Sequence, residues 1–142
     1  MFKKLKNKKG FTLIEIIVVI VILAVLMAVA VPSVMSYMNE GKNAKYQTAA
    51  RTVLIDAQTQ YAKGVADGAN SDTAVNKAKS YIEHKTYTGS ITVSNVTITV
   101  DGSGSDAAEK DVSLVTCKIT IDGNDKNVKI DANKKVTVSD PE

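Results

Sequence analysis

Glu15 is the only charged residue between Phe11 and Val31, a run of 21 residues of which fifteen are Phe, Leu, Ile or Val. A carboxylate in such company is neutralised by a proton, reaches for water, or answers a partner, and an ionisable group in hydrocarbon is by default a functional candidate. Other reactive side chains are few. The chain has one cysteine, Cys117, and one histidine, His84. A lone thiol excludes a disulfide framework and a cysteine-only metal cluster, and a lone imidazole removes the usual ligands of most transition-metal sites. Cys117 falls on the apolar side of an alternating segment, where it acts as a small hydrophobe. No G-x-x-x-x-G-K-[ST], H-E-x-x-H or G-x-S-x-G occurs, so no catalytic residue, metal ligand set or cofactor is expected and the chain reads as non-enzymatic. With no Trp, two Phe and Arg51 as its only arginine, it offers no stacking platform, and no specific nucleic-acid partner is expected.

The element that positions Glu15 is the apolar run itself. Its Ile/Val content favours a strand, but strands run about 4–8 residues and ~20 apolar residues span a bilayer as helix. The fifteen large side chains favour insertion by about 5–9 kcal/mol in sum, against roughly 2.5–3.5 for one carboxylate at mid-bilayer. A transmembrane helix is expected. Five lysines (Lys3, Lys4, Lys6, Lys8 and Lys9) precede it, and without residues 1–10 the balance is 13 basic against 15 acidic groups. The basic character therefore belongs to a leader that fixes the N-terminus on the cytoplasmic side. A cleavable secretory signal competes for this stretch, because Ala28-Val29-Ala30 has the spacing of a signal-peptidase site, yet the run exceeds the usual 7–15 residues. A plain membrane anchor also competes, and gives no reason for Glu15.

The junction Lys8-Lys9-Gly10-Phe11-Thr12-Leu13-Ile14-Glu15 resembles the class III signal of type IV pilins and pseudopilins. The resemblance implies that a prepilin peptidase cuts after Gly10 and methylates the new amine of Phe11. Gly at the cut allows close backbone approach to the protease. It further implies that Glu15 pairs with the Phe11 amine of a neighbouring subunit during assembly and that Pro32 kinks the helix. Phe11 and Glu15 are also i,i+4 neighbours, so pairing within one chain is equally open. The implied partners are prepilin peptidase, the pilus assembly machinery, the membrane before assembly, and further copies in a homo-oligomeric helical filament. Many Gram-negative pilins close a C-terminal loop with a disulfide; one cysteine cannot, which makes the chain more similar to pilins of Gram-positive bacteria.

Beyond Pro32 the pattern turns amphipathic. Tyr46, Ala50, Val53, Ala57 and Tyr61 form one helical stripe, and Gly64 is expected to end a helix running from Phe11 to about Lys63, roughly 80 Å long. Asp72 or Ser71 can cap a second helix with Val75, Ala78, Tyr81 and Ile82 on its apolar face, and His84 at its end. Period-two segments follow. Ile91 and Val93 are separated by a phase break at Ser94-Asn95, a bulge or a turn, from Val96, Ile98 and Val100. Val115 to Ile121 alternate strictly, and Val128/Ile130 and Val136/Val138 are set off by Asp122-Gly123 and Asn133-Lys134. Gly102 to Asp106 is expected to be a flexible, exposed connector.

The fold class expected is α+β: a long N-terminal helix, transmembrane then amphipathic, packed on a small antiparallel β-sheet head. Three segments follow: a cleaved leader (1–10), a transmembrane and filament-core helix (11–31), and a head (32–142). The expected function is the structural subunit of a type IV pilus filament, with cell adhesion or twitching motility as its use, membrane-bound as precursor and extracellular once assembled. A pseudopilin of a secretion or DNA-uptake system shares every motif used. A membrane-anchored or secreted β-rich binding module is the reading from a different class.

Overall fold

The computed structural model describes residues 10–142, so the lysine leader (1–9) lies outside the described residues. It contains helices α1 (Leu13–Ala66) and α2 (Ser71–His84), and strands β1 (Ile91–Asp101), β2 (Asp111–Ile121), β3 (Asn124–Ile130) and β4 (Val136–Ser139). A single 3-10 turn, Ala107–Glu109, stands between β1 and β2. The chain divides into two units, Met1–Glu40 and Gly41–Glu142, and α1 contributes residues to both.

In the first unit α1 begins one residue past Thr12, and its apolar stretch is long enough to cross a membrane. From Phe11 to Met38 twenty large apolar side chains are exposed. Pro32 lies inside the helix, where it removes the backbone donor to the Ala28 carbonyl. The neighbouring Ser33 hydroxyl donates to the Val29 carbonyl at 3.0 Å.

The second unit is an α+β head. Its four strands form one antiparallel sheet in the order β1-β2-β3-β4. Val93, Val96, Ile98, Val115, Cys117, Ile119, Val128 and Ile130 share one buried core with the expected stripe Tyr46, Ala50, Val53, Ala57 and Tyr61. Both tyrosines bury their rings and still satisfy their hydroxyls, as buried tyrosines generally do. Tyr46 donates to the Asn124 carbonyl at 2.6 Å and Tyr61 to the Ala107 carbonyl at 2.9 Å.

The break at Ser94-Asn95 is a bulge within one strand. The β1–β2 register shifts between Ser94 and Thr97, and Asn95 takes φ 53°. Val93 and Val96 thereby both face the core, and the Val96 N–H donates to Glu83 of α2 at 3.1 Å. Asp122 and Gly123, both at positive φ, make the two-residue turn of the β2–β3 hairpin.

Three local expectations need correcting. Gly64 does not end α1; it is buried inside the helix, and a Cβ there would lie 3.0 Å from that of Ala74. Its lack of a side chain serves the approach of α2. The terminator is Gly68 at φ +85°, where the Ala69 N–H bonds to the Gly64 carbonyl and the Gly68 N–H to that of Val65, the paired bonds of a Schellman cap. The α2 cap is Asn70, not Ser71 or Asp72, its side chain accepting from the Thr73 N–H at 2.9 Å. The buried face keeps the expected Ala78 and Ile82, with Ala74 in place of Val75, and leaves Tyr81 41% exposed. The connector after β1 is exposed but packed at its glycines. A side chain at Gly102 would collide with the Glu109 carbonyl, and one at Gly104 with the Glu109 side chain.

Candidate processing and assembly site

Gly10 is exposed and outside the helix, and nothing lies within 4 Å of where its Cβ would stand. Phe11 is 84% exposed. Two residues on, the chain enters α1 through a reciprocal pair of hydrogen bonds. The Thr12 N–H donates to Glu15 Oε2 at 3.1 Å, and the Glu15 N–H donates to Thr12 Oγ1 at 3.3 Å. With Thr12 as N-cap and Glu15 third in the helix, this is a capping box, which satisfies two backbone donors that the first turn would otherwise orphan. The carboxylate also sits at the positive end of the helix dipole.

Gly10 and Phe11 precede α1 and Glu15 lies in its first turn, whereas Pro32 stands well inside the helix. Thr12 is the member that residue typing passed over. The signal was present as Thr-x-x-Glu ahead of an apolar run, masked by the attention a carboxylate in hydrocarbon draws to itself.

Residues 5–31 match the family model of the prokaryotic N-terminal methylation motif. The match spans the leader junction and the apolar run, and supports a class III prepilin signal of the type IV pilin-like kind there. The motif does not distinguish a pilin from a pseudopilin. It implies processing by prepilin peptidase, and with the exposed apolar helix it implies a membrane-anchored precursor. No curated protein and no solved structure matches the chain.

The head holds a polar junction that spacing did not reveal. Lys85, the C-cap of α2, donates to both oxygens of Asp56 on α1, at 2.8 and 2.9 Å. The Tyr87 hydroxyl donates to the same carboxylate at 3.0 Å. Burial first, then the bond to Asp56, raises the Tyr87 phenol, and the bond to Asp56 holds the Lys85 ammonium above its usual value. The ammonium also sits 5.1 Å from the Tyr87 ring centroid, within cation–π range. One carboxylate thus binds α1 to the end of α2 and the entry to β1.

Beside it a groove of about 610 Å³ runs between Gly41–Thr52 and Lys85–Ile91. Its charged lining residues are Lys45 and Lys85, and Lys85 is already engaged by Asp56. Cys117 is buried in the core, where burial pushes its thiol up to about 12, a value that keeps it a protonated, unreactive thiol at neutral pH. His84 ends α2 with Nδ1 2.8 Å from the Ser80 carbonyl. Among the described residues no three His, Cys, Asp or Glu side chains are grouped to hold a metal.

Proposed function

We propose that the chain is the structural subunit of a type IV pilus filament, cut after Gly10 and assembled through its N-terminal helix. The observation that carries this reading is the exposure of all twenty large apolar side chains from Phe11 to Met38, with Glu15 in the first turn. A surface of that kind needs a non-aqueous neighbour along its whole length. Lipid supplies it for the precursor, and other copies of the same helix supply it in a filament. Lipid tails are as apolar as the side chains, so the exchange is driven by close packing and polar pairing rather than by hydrophobicity.

In this scheme residues 1–10 are the leader, 11–31 the membrane-spanning and filament-core segment, and 32–142 the head displayed outside the cell. Hydrolysis of the Gly10–Phe11 bond leaves a carboxylate on the leader and an amine on Phe11 for Glu15 to neutralise. Pro32, missing its backbone donor, is where the helix bends most cheaply.

Intact mass and N-terminal sequencing of protein from its native host should find an N-methylated Phe11. A start at Val31 would mean ordinary secretion, and retention of Met1 a plain anchor. Electron microscopy of the cell surface should show abundant filaments containing the chain. A few copies in a short secretion or DNA-uptake fibre would make it a pseudopilin instead. Glu15→Ala should insert and be cut normally yet build few filaments, since unpairing a buried charge costs roughly 3–5 kcal/mol. Filaments as abundant as wild type would refute the charge-pair role.

A further inference from the structure

Of the nine asparagines, Asn95 alone is followed two residues later by a hydroxyl, in Asn95-Val96-Thr97. Asn-x-Thr is the acceptor triplet for sugar transfer to an asparagine amide in exported chains. A pattern this short is weak by itself, and its place in the fold gives it weight. Ile91 and Val93 set an inward phase for β1 that a regular strand would carry on to residue 95. The register shift between Ser94 and Thr97 resets that phase, so that Val96 and Ile98 are buried while Asn95 and Thr97 are exposed.

The bulge therefore presents the amide and the hydroxyl to solvent and fixes the residue between them, whose N–H donates to Glu83 at 3.1 Å. Asn70 and Asn124 commit their carboxamides to a helix cap and to the Asp122 carbonyl. Among the described residues the Asn95 carboxamide has no such bond. Its φ of 53° suits asparagine, but Ser90, Asp122 and Lys134 take positive φ as well, so the bulge alone does not call for this residue. We propose that Asn95 is an N-glycosylation site whose donor is an oligosaccharide carried on a lipid pyrophosphate at the outer face of the membrane. In the transfer Asn95 Nδ2 bonds to the anomeric carbon, the bond from that carbon to the pyrophosphate oxygen breaks, and the lipid pyrophosphate leaves. The amide proton passes to a base of the transferase. This inference rests on the reading that the head stands outside the cytoplasm.

Glycopeptide mass spectrometry of the full chain from its native host should find an oligosaccharide on Asn95. Digestion with a glycopeptide amidase should release the sugar and leave aspartate in its place. Asn95→Asp, which still tolerates positive φ, should lose the added mass completely. Thr97→Val, which keeps the branched shape without the hydroxyl, should lose it as well, and Thr97→Ser should retain it. The near-UV signal of the head tyrosines should be unchanged in all three variants, which separates a lost acceptor from a lost fold.

A sugar lost in Thr97→Val but kept in Asn95→Asp would sit on the threonine oxygen and overturn the inference. An unmodified Asn95 in wild-type chain overturns it too, and a membrane-impermeant amine reagent applied to intact cells then tells which reading has failed. If the reagent labels the head lysines, the head is outside the cytoplasm and the glycosylation inference falls alone. If it does not, the head is inside, and the function proposed above falls with the inference.

Discussion

The two units use the same aliphatic vocabulary to opposite ends. Between Leu13 and Met38 the large apolar side chains face outward all round the helix, none of them buried by the chain itself. From Tyr46 onward α1 turns one stripe inward, and the sheet meets it with alternate residues from its strands. The head's stability is therefore written in its own contacts, whereas the N-terminal helix is stabilised by whatever surrounds it. Polar groups follow the same division. Asp56 is shared among three elements of the head, while Glu15, among the described residues, is tied to its own first turn.

Paired truncations break this contrast most sharply. Ile119→Ala removes a fully buried side chain and should cost the head about 2–5 kcal/mol. Leu23→Ala, in the exposed run, should leave the head's denaturation midpoint unmoved and reduce filament yield instead. Urea titration of the full chain in detergent, followed by near-UV signals of the head tyrosines, reads both. A head midpoint sensitive to Leu23 would show that the units are not energetically separate.

Removing the α2 cap should have a smaller effect. Asn70→Ala leaves the Thr73 N–H without its partner and should lower head stability by about 1 kcal/mol, with Asn70→Asp nearly neutral. The same titration checks it, and filament yield per folded subunit should not change.

The smallest expected effect is alkaline. Lys85 binds its proton more tightly folded than unfolded, so its contribution is complete below the ordinary value of 10.5 and is lost as pH climbs through the raised one. Tyr87, raised from 10.0, acts in the same sense: above pH 10 the unfolded chain loses a proton that the folded head retains. Head midpoints should therefore fall from about pH 10 upward, and the combined Lys85→Met and Tyr87→Phe variant should fall less steeply. An equal slope would place the sensitive group elsewhere.

Most of the fold was legible in the sequence because its signals are periodic. The stripe from Tyr46 to Tyr61, the alternation from Val115 to Ile121 and the Asp122-Gly123 turn each follow from geometry repeated over several residues. The errors fall where one residue admits two uses. Gly64 ends a helix by propensity, but here it admits Ala74 against the helix backbone, a contact between elements that no local rule sees. Asn70, Ser71 and Asp72 are all competent caps, and choosing among them requires knowing which face of α2 meets the sheet. The Asp56–Lys85–Tyr87 junction joins residues up to 31 positions apart, without a spacing to betray it. At the N-terminus Gly10, Phe11 and Glu15 were legible as a motif, while Thr12 was hidden by its ordinariness.

The order β1-β2-β3-β4, in which every strand pairs with the next one along the chain, also governs how quickly the head can form. Each ladder after β1 closes through a short connection, so little loop entropy is lost before pairing begins, and folding slows mainly when contacts join distant parts of a chain. No strand has to wait for a segment delivered much later to complete its place in the sheet. A head of this topology can mature strand by strand, each ladder closing on the one formed just before it.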